Sequence, residues 1–353
     1  MVQLFIMKTI NAALVSYGMS GEIFHAPLLS AHKGFTIISI LERTKNRSHD
    51  RYPSANIVRS YEEILEDDKV DLVIVNTPDR YHYEMALDAI KANKHVIVEK
   101  PFTLKVKEAN DLILKAGKTG KLLSVFHNRR WDGDFMTVKK IIDEGLLGRL
   151  VEYEAHFDRY RNYLQKESWK EQVSGQSGTI YNLGSHIIDQ ALVLFGLPEA
   201  VFADIRTLRT GAEVDDSFTL LMRYPEIKVS LKVSYLVREP GPRFYLHGTD
   251  GSFLKWGTDP QEEELKSGRL PGIPGWGEEP EELWGTLNTD ISGTKYKGKY
   301  ETLPGNYLAY YDDIWDAIIN HREPSVTAEQ GRDVIRVIEA AKESNRLRKE
   351  VKI

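Results

Sequence analysis

The sequence predicts an α/β chain with two sheets: a doubly wound parallel sheet at the N-terminus, then a C-terminal α+β domain on a mostly antiparallel open sheet. Three observations carry this expectation. Over residues 10–125, short runs rich in Val, Ile and Leu alternate with helical patterns, as in βαβ units whose strands are buried on both faces. After Gly148 the apolar pattern changes to longer segments of period two, the mark of strands with one wet face. A length of 353 residues exceeds what one core normally serves. The expected division is 1–125 and 126–353.

In the first part the candidate strands are AALVS (12–16), FTIISIL (35–41), NIV (56–58), VDLVIV (70–75), HVIV (95–98) and KLLSV (121–125). Six strands are what a full dinucleotide-binding fold requires. Between them, Ser60 and Glu63 form a capping box: the Ser60 hydroxyl can accept from the Glu63 amide while the Glu63 carboxylate reaches back. Apolar residues at helical spacing mark crossover helices over 81–91 and 109–116.

In the second part a helix is expected over 135–144. Strands follow at VEYEAHFDRY (151–160), AVFADIRTL (200–208), SFTLLMRY (217–224), KVSLKVSYLV (228–237) and RFYLHG (243–248). Residues 257–305, rich in Gly, Pro and charge, read as a long excursion over the surface. Helices resume over 307–320 and, after Pro324, over 328–346.

Net charge is −5 with acids and bases interspersed, which gives no basic footprint for nucleic acid. There is no cysteine, so disulfides, thiolate zinc sites, iron–sulfur clusters and cysteine nucleophiles are excluded together. The opening MVQLFIMK lacks a signal-peptide pattern, and no stretch approaches the 18 apolar residues of a membrane helix. A cytoplasmic protein without membrane partners is the expectation, with the residues ahead of Lys8 dispensable. No H-E-x-x-H occurs, and H-x-x-D alone is weak ligand spacing, so no metal site is expected.

The first strand runs into Ser16-Tyr17-Gly18-Met19-Ser20-Gly21, a dinucleotide-binding G-x-G-x-x-G with serine in its first position. Gly18 would let a pyrophosphate approach the backbone and Gly21 would let helix and strand pack closely. Ser16 is tolerated in the turn unless its φ must be positive. Glu42 stands near the spacing of about 20 residues beyond Gly21 at which an acid holds the adenosine ribose. Arg43, Lys45 and Arg47 follow at once, as a 2′-phosphate would require, so NAD and NADP both stand open.

The stretches "SGEIFHAPLL", "NTPDRYHYEMALDAIKANKHVIVEKPF", "SVFHNRRWDGDF" and "GTIYNLGSHIIDQ" occur in order. Together they closely resemble the Gfo/Idh/MocA oxidoreductases, in particular the inositol dehydrogenase-like branch, and the resemblance runs almost end to end. It implies an N-terminal Rossmann domain, a C-terminal sheet domain that often forms an oligomer interface, and hydride transfer between nicotinamide and a sugar or polyol. It also implies that Met19 and Ser20 in the turn, and Thr77, Pro78 and His82 after the fourth strand, border the cofactor. Glu99, Lys100 and Pro101 match the family's active-site tripeptide, whose Lys–Pro bond is often cis, and His186 matches the catalytic histidine. Asn182 stands where many relatives carry Asp, so a full Lys–Asp–His triad is not expected and Asn182 reads as an orienting group.

Oxidising an alcohol requires removal of the hydroxyl proton as hydride leaves. An imidazole near pH 6.5 is matched to that task, so His186 is assigned the proton and cationic Lys100 the alkoxide character. Asp189 shares a helix face with His186 and is placed to fix its tautomer, or else makes an exposed i, i+3 contact. Asn128, Arg129, Trp131 and Asp132, with His127 and Arg130, form a dense polar stretch beside a flat ring at the carboxyl edge of the parallel sheet. Such a stretch suits a polyhydroxylated substrate. Arg159, Tyr160 and Arg161 are expected as a second wall, with Tyr307 closing the pocket. Two other functions stay open: a nicotinamide-dependent glycoside hydrolase, and a non-catalytic dinucleotide-binding regulator. A homo-oligomer is expected.

Overall fold

The structure, a computed structural model, describes residues 8–165, 168–172, 178–291 and 293–353; the segment ahead of Lys8 lies outside the described residues. The first sheet contains β1 (Ile10–Leu14), β2 (Phe35–Leu41), β3 (Asn56–Val58), β4 (Leu72–Val75), β5 (His95–Val98) and β6 (Leu123–Val125). They pair in parallel in the order β3-β2-β1-β4-β5-β6. Every residue of β4 is buried, which is why its sequence reads as an unbroken LVIV run. The order reverses between β1 and β4, opening a crevice at the carboxyl ends of those strands, where ligands bind in such sheets.

The crossover helices are α1 (Ala26–Ala31), α2 (Glu62–Glu66), α3 (His82–Lys91) and α4 (Val106–Thr119). Ahead of α2 the expected reciprocal bonds are made, with Ser60 N donating to Glu63 Oε1 at 2.8 Å and Glu63 N to Ser60 Oγ at 3.4 Å. After β6 come α5 (Gly133–Asp143), β7 (Leu150–His156), α6 (Thr179–Asn182) and α7 (Gly184–Phe195).

The second sheet continues with β8 (Ala200–Arg206), β9 (Ser217–Arg223), β10 (Lys228–Ser234), β11 (Phe244–Gly248) and β12 (Gly251–Lys255). It is completed by β13 (Gly285–Ile291), β14 (Thr294–Tyr300) and β15 (Val351–Lys352), in the order β14-β13-β12-β11-β7-β10-β9-β8-β15. Its neighbours are antiparallel except β7 and β10.

The last helices return to the first sheet. Of α8 (Gln261–Lys266), α9 (Leu308–Asn320) and α10 (Ala328–Leu347), α10 packs against α4 and β6 as well as α7 and β8. Gly331 permits that approach, since a Cβ there would meet Val125 Cγ2 at 2.5 Å. A capping box starts α10: Thr327 accepts from Gln330 N and Thr327 N donates to the Gln330 side chain.

Residues 257–305 correct the expectation of a surface excursion. Gln261 at the start of α8 is fully buried, its side chain donating to Trp131 O at 3.0 Å and accepting from Trp276 Nε1 at 3.2 Å. The segment then adds the β13–β14 hairpin to the sheet edge. The strand expected over 151–160 ends at His156, and β12 was not foreseen at all.

Candidate active site

The turn after β1 closes without its first glycine. Ser16 keeps a φ outside the left-handed region, and its Oγ accepts from Gly18 N at 3.1 Å, bracing the turn that glycine freedom would otherwise serve. Gly21 is sterically required: a Cβ there would lie 2.2 Å from Ser16 O and 2.7 Å from Asn76 Nδ2. Ser20–His25 then winds with wider π spacing into α1.

Around this turn lies a cavity of about 550 Å³ that reaches from Gly18 to His186, joined to a second of about 630 Å³ on the β2 side. Ser16, Gly18, Arg43, Thr77 and Pro78 line both. The polar lining fits a nicotinamide dinucleotide: close backbone approach at the turn and, among the described residues, two buried atoms beside it without partners, the Thr77 hydroxyl and the accepting Asn76 Oδ1. Met19 and Ser20 line the first of these cavities. His82 lines it too, its ring spanning Pro101 O (2.8 Å) and Thr77 O (2.9 Å), so it ties the loop after β4 to the cis Lys100–Pro101 turn.

Glu42 lines the β2-side cavity with its carboxylate already engaged by its own loop. Oε1 accepts from Ser48 N (2.8 Å) and Ser48 Oγ (2.7 Å), and Oε2 accepts from Arg47 N (3.0 Å). Burial alone would raise its pKa, but these bonds outweigh it and hold the carboxyl below its ordinary value. Glu42 organises the loop that follows β2, and the open face of that loop is cationic: Arg43, Lys45, Arg47 and Arg59 line the β2-side cavity.

Glu99, at the end of β5, is buried between His25 Nε2 (3.1 Å) and the Lys100 amide (3.0 Å). The Lys100 ammonium crosses to the second part of the chain and donates to Asn182 O (3.0 Å) and Asn182 Oδ1 (3.1 Å). Asn182 ends α6, whose start is braced by Asp215, with Thr179 Oγ1 and Ile180 N donating to its carboxylate. One turn on, in α7, His186 lines the same cavity.

Its ring is buried, with Nδ1 lacking any partner among the described residues. Burial, then the Lys100 and Arg129 charges, push its pKa well below 6.5, so the imidazole is neutral where free histidine titrates. This corrects the expectation of an unperturbed ring.

Among the described residues Asp189 makes no hydrogen bond to His186. Its two oxygens take Arg130 Nε (2.8 Å) and Nη2 (2.6 Å) in a bidentate pair. Of the 128–132 stretch, Asn128 and Arg129 reach the cavity while Trp131 and Asp132 do not. The stretch is a tight 3₁₀ turn (Asn128–Trp131) with Asn128 and Arg129 on its cavity side. The Trp131 ring meets Tyr310 edge-on at 5.8 Å. Asp132 is buried behind the wall, accepting from Tyr307 OH (2.6 Å) and Arg129 Nη1 (3.2 Å). Tyr307 therefore stands behind Arg129 rather than over the pocket.

Tyr160 is also displaced: 44% exposed, it bridges to Leu236 and lies under the Arg238 guanidinium, while Arg159 and Arg161 on either side line the cavity. Glu262 and Lys266 of α8, together with Glu171 and Arg209, complete the wall and were not foreseen. The signal for α8 was present in Asp259-Pro260-Gln261, an acid and a proline at a helix start.

Comparison with known proteins agrees with this geometry. Residues 10–127 match the NAD-binding Rossmann fold of the Gfo/Idh/MocA oxidoreductase family, and residues 139–353 match its C-terminal alpha/beta domain. The chain belongs to this oxidoreductase family. Scyllo-inositol 2-dehydrogenase (NADP(+)) IolW of Bacillus subtilis is 43% identical over 344 residues, covering 96% of this chain and 95% of that protein. The uncharacterized oxidoreductase YdgJ of Escherichia coli is 39% identical, covering 95% of this chain and 96% of its own. An oxidoreductase from Bacillus cereus superposes with a TM-score of 0.89 at 32% identity, covering 98% of this chain and 99% of that one. Among the described residues no helix is long and apolar enough to cross a membrane.

Proposed function

We propose that this family member is an NADP-preferring dehydrogenase or reductase acting on an inositol, sugar or related polyol. The observation that carries the reading is that one cavity joins the glycine turn, the Lys100 ammonium seated on Asn182, and a neutral, buried His186. When bound, the nicotinamide accepts or delivers the hydride. The Gly18–Gly21 turn, Thr77 and Pro78 would hold the dinucleotide. His186, with Nδ1 sealed in protein, uses Nε2 to take the hydroxyl proton in oxidation and to return it in reduction. Lys100, fixed by Asn182, stabilises alkoxide character at the reacting oxygen. Arg129, held by Asp132 and Glu262, and Asn128 orient the substrate hydroxyls.

The coenzyme preference rests on the loop after β2. Its acid is consumed internally while Arg43 and Arg59 line the adjoining cavity, an arrangement that favours a 2′-phosphate over a free ribose. The name of the Bacillus subtilis relative specifies NADP(+). Phe202 and Leu221, cross-strand partners on β8 and β9, stand exposed together on the second sheet, which supports a homo-oligomer through that face; light scattering tests it.

A fluorescence titration with NADPH and NADH, repeated on Gly18→Val, tests the reading. Tighter NADPH binding, lost in the variant, is the expected outcome. Equal or tighter NADH binding would overturn the coenzyme preference, and no binding to folded protein would overturn the function.

A further inference from the structure

The far wall of the cavity that reaches His186 carries more guanidinium than its carboxylates engage. Three guanidiniums surround the Phe157 ring, Arg243 at 4.3 Å, Arg129 at 5.0 Å and Arg159 at 5.4 Å from its centroid. Two more meet the Tyr235 ring, Arg209 at 4.9 Å and Arg161 at 5.5 Å. Arg243 faces Asp134 at 3.7 Å, Arg129 holds Asp132 and Glu262, and Arg209 holds Asp216 (2.9 Å) and Glu171 (2.8 Å). Among the described residues, Arg159 and Arg161 have no carboxylate within ion-pair distance.

Among the described residues the cavity's other carboxylates are already engaged. Glu171 is taken by Arg209, Glu262 by Arg129 and Lys266, and Asp215 by Thr179 and Ile180. Burial, reinforced by the neighbouring Arg161 and Arg129 charges, holds the Arg159 guanidinium below its usual pKa although Glu262 opposes this.

The backbone explains how the two reach the same place. Arg159 N donates to Ser234 O (2.9 Å), Arg161 N to Tyr235 O (2.7 Å) and Val237 N to Arg159 O (3.2 Å), so the segment runs extended along the chain that leaves β10. In an extended segment residues two apart share a face. Arg159 and Arg161 both line the cavity while Tyr160 between them turns to solvent. A cation partly withdrawn from water without a counter-ion is costly, and a neutral hydroxyl does not offset that cost. A carboxylate or phosphate does, and each matches the guanidinium fork.

We infer that Arg159 and Arg161 form an anion subsite of the substrate pocket, and that the substrate is a polyol bearing a carboxylate or phosphate rather than a neutral inositol. The inference rests on the dehydrogenase reading only for the word substrate; the subsite can be tested without turnover.

The test measures melting-temperature shifts of the full chain, with and without saturating NADPH, on adding scyllo-inositol, gluconate or glucose 6-phosphate, beside turnover of each. An Arg159→Gln/Arg161→Gln double variant is carried in parallel. The expected result is an anionic ligand acting at concentrations at least about 30-fold below scyllo-inositol, lost by a similar factor in the double variant, with NADPH affinity changed by less than about two-fold. Gluconate acting at lower concentration identifies a carboxylate, glucose 6-phosphate a phosphate. Equal or better stabilisation by scyllo-inositol, or an equal loss for all three ligands in the double variant, would overturn the subsite. Arginine-dependent anion binding with no turnover of any polyol by the NADPH-competent protein would uphold the subsite and count against the dehydrogenase reading alone.

Discussion

Asn182 holds Lys100 by both of its oxygens, accepting from the ammonium at its backbone carbonyl (3.0 Å) and at its amide Oδ1 (3.1 Å). The orientation that an aspartate would give is therefore kept without its negative charge. His186 feels the difference, because burial and the Lys100 charge hold its pKa well below 6.5. We expect polyol oxidation to stay flat as pH falls through 6.5. In Asn182→Asp a new carboxylate favours the imidazolium, so the acid limb of kcat/KM moves up by about one unit or more. A pH–rate profile checks this, and an unmoved limb would count against His186 as the proton carrier.

The serine in the phosphate turn makes a graded prediction. Ser16→Ala removes the acceptor for Gly18 N and is expected to cost about 1 kcal/mol of stability, with the turn retained. Gly21→Ala drives a Cβ into the Ser16 carbonyl and is expected to cost about 1–3 kcal/mol and to abolish dinucleotide binding. Urea unfolding and NADPH titration measure the two effects. Intact coenzyme affinity in Gly21→Ala would show that this turn is not the phosphate cradle.

Asp189 belongs to the fold rather than to proton transfer, since its carboxylate is spent on Arg130. Both side chains are almost wholly buried, so Asp189→Asn is expected to lower stability by about 3 kcal/mol, leaving a buried guanidinium short of charge. The pH dependence of the surviving activity is expected to be unchanged. A shifted acid limb with wild-type stability would restore Asp189 as the partner of His186.

Glu262 gives a pH-dependent stability. Burial would raise its pKa, yet the Arg129 charge, then Lys266, bring it down to about 2 from the ordinary 4.5. A folded-state pKa below the unfolded value means stability that is fully present above pH 4.5 and lost as pH falls toward 2. Glu262→Gln is thus expected to be destabilised by about 3 kcal/mol at pH 7, with the gap to wild type narrowing in urea melts below pH 4.5. A gap independent of pH would show that packing, not charge, is lost.

The parallel sheet was legible because short runs rich in Val, Ile and Leu alternate with helical patterns; FTIISIL, NIV and HVIV gave β2, β3 and β5 to the residue, although Thr36 and Asn56 are exposed. The β13–β14 hairpin was not, since TKYKGKY is largely exposed and offers no apolar face to read. Helix α8 was masked by the Gly and Pro residues around it, and its burial comes from Trp131 and Trp276, far away in sequence. At the site, Lys100, Asn182 and His186 were found as residues. The destinations of Asp132, Trp131 and Asp189 were not, because spacing fixes which side chains share an element but not which long-range partner claims each one. Glu42 sat at the expected position with its carboxylate turned into its own loop.

The central claim is that Lys100 and His186 perform the chemistry while the glycine turn holds the coenzyme. It is tested most directly by NADP⁺ reduction on a panel of inositols, sugars and sugar acids with wild type, Lys100→Met and His186→Gln, alongside NADPH titration of all three. We expect kcat to fall by at least about 10²-fold in each variant, with the NADPH dissociation constant changed by less than about three-fold. Wild-type turnover in either folded variant would contradict the assignment.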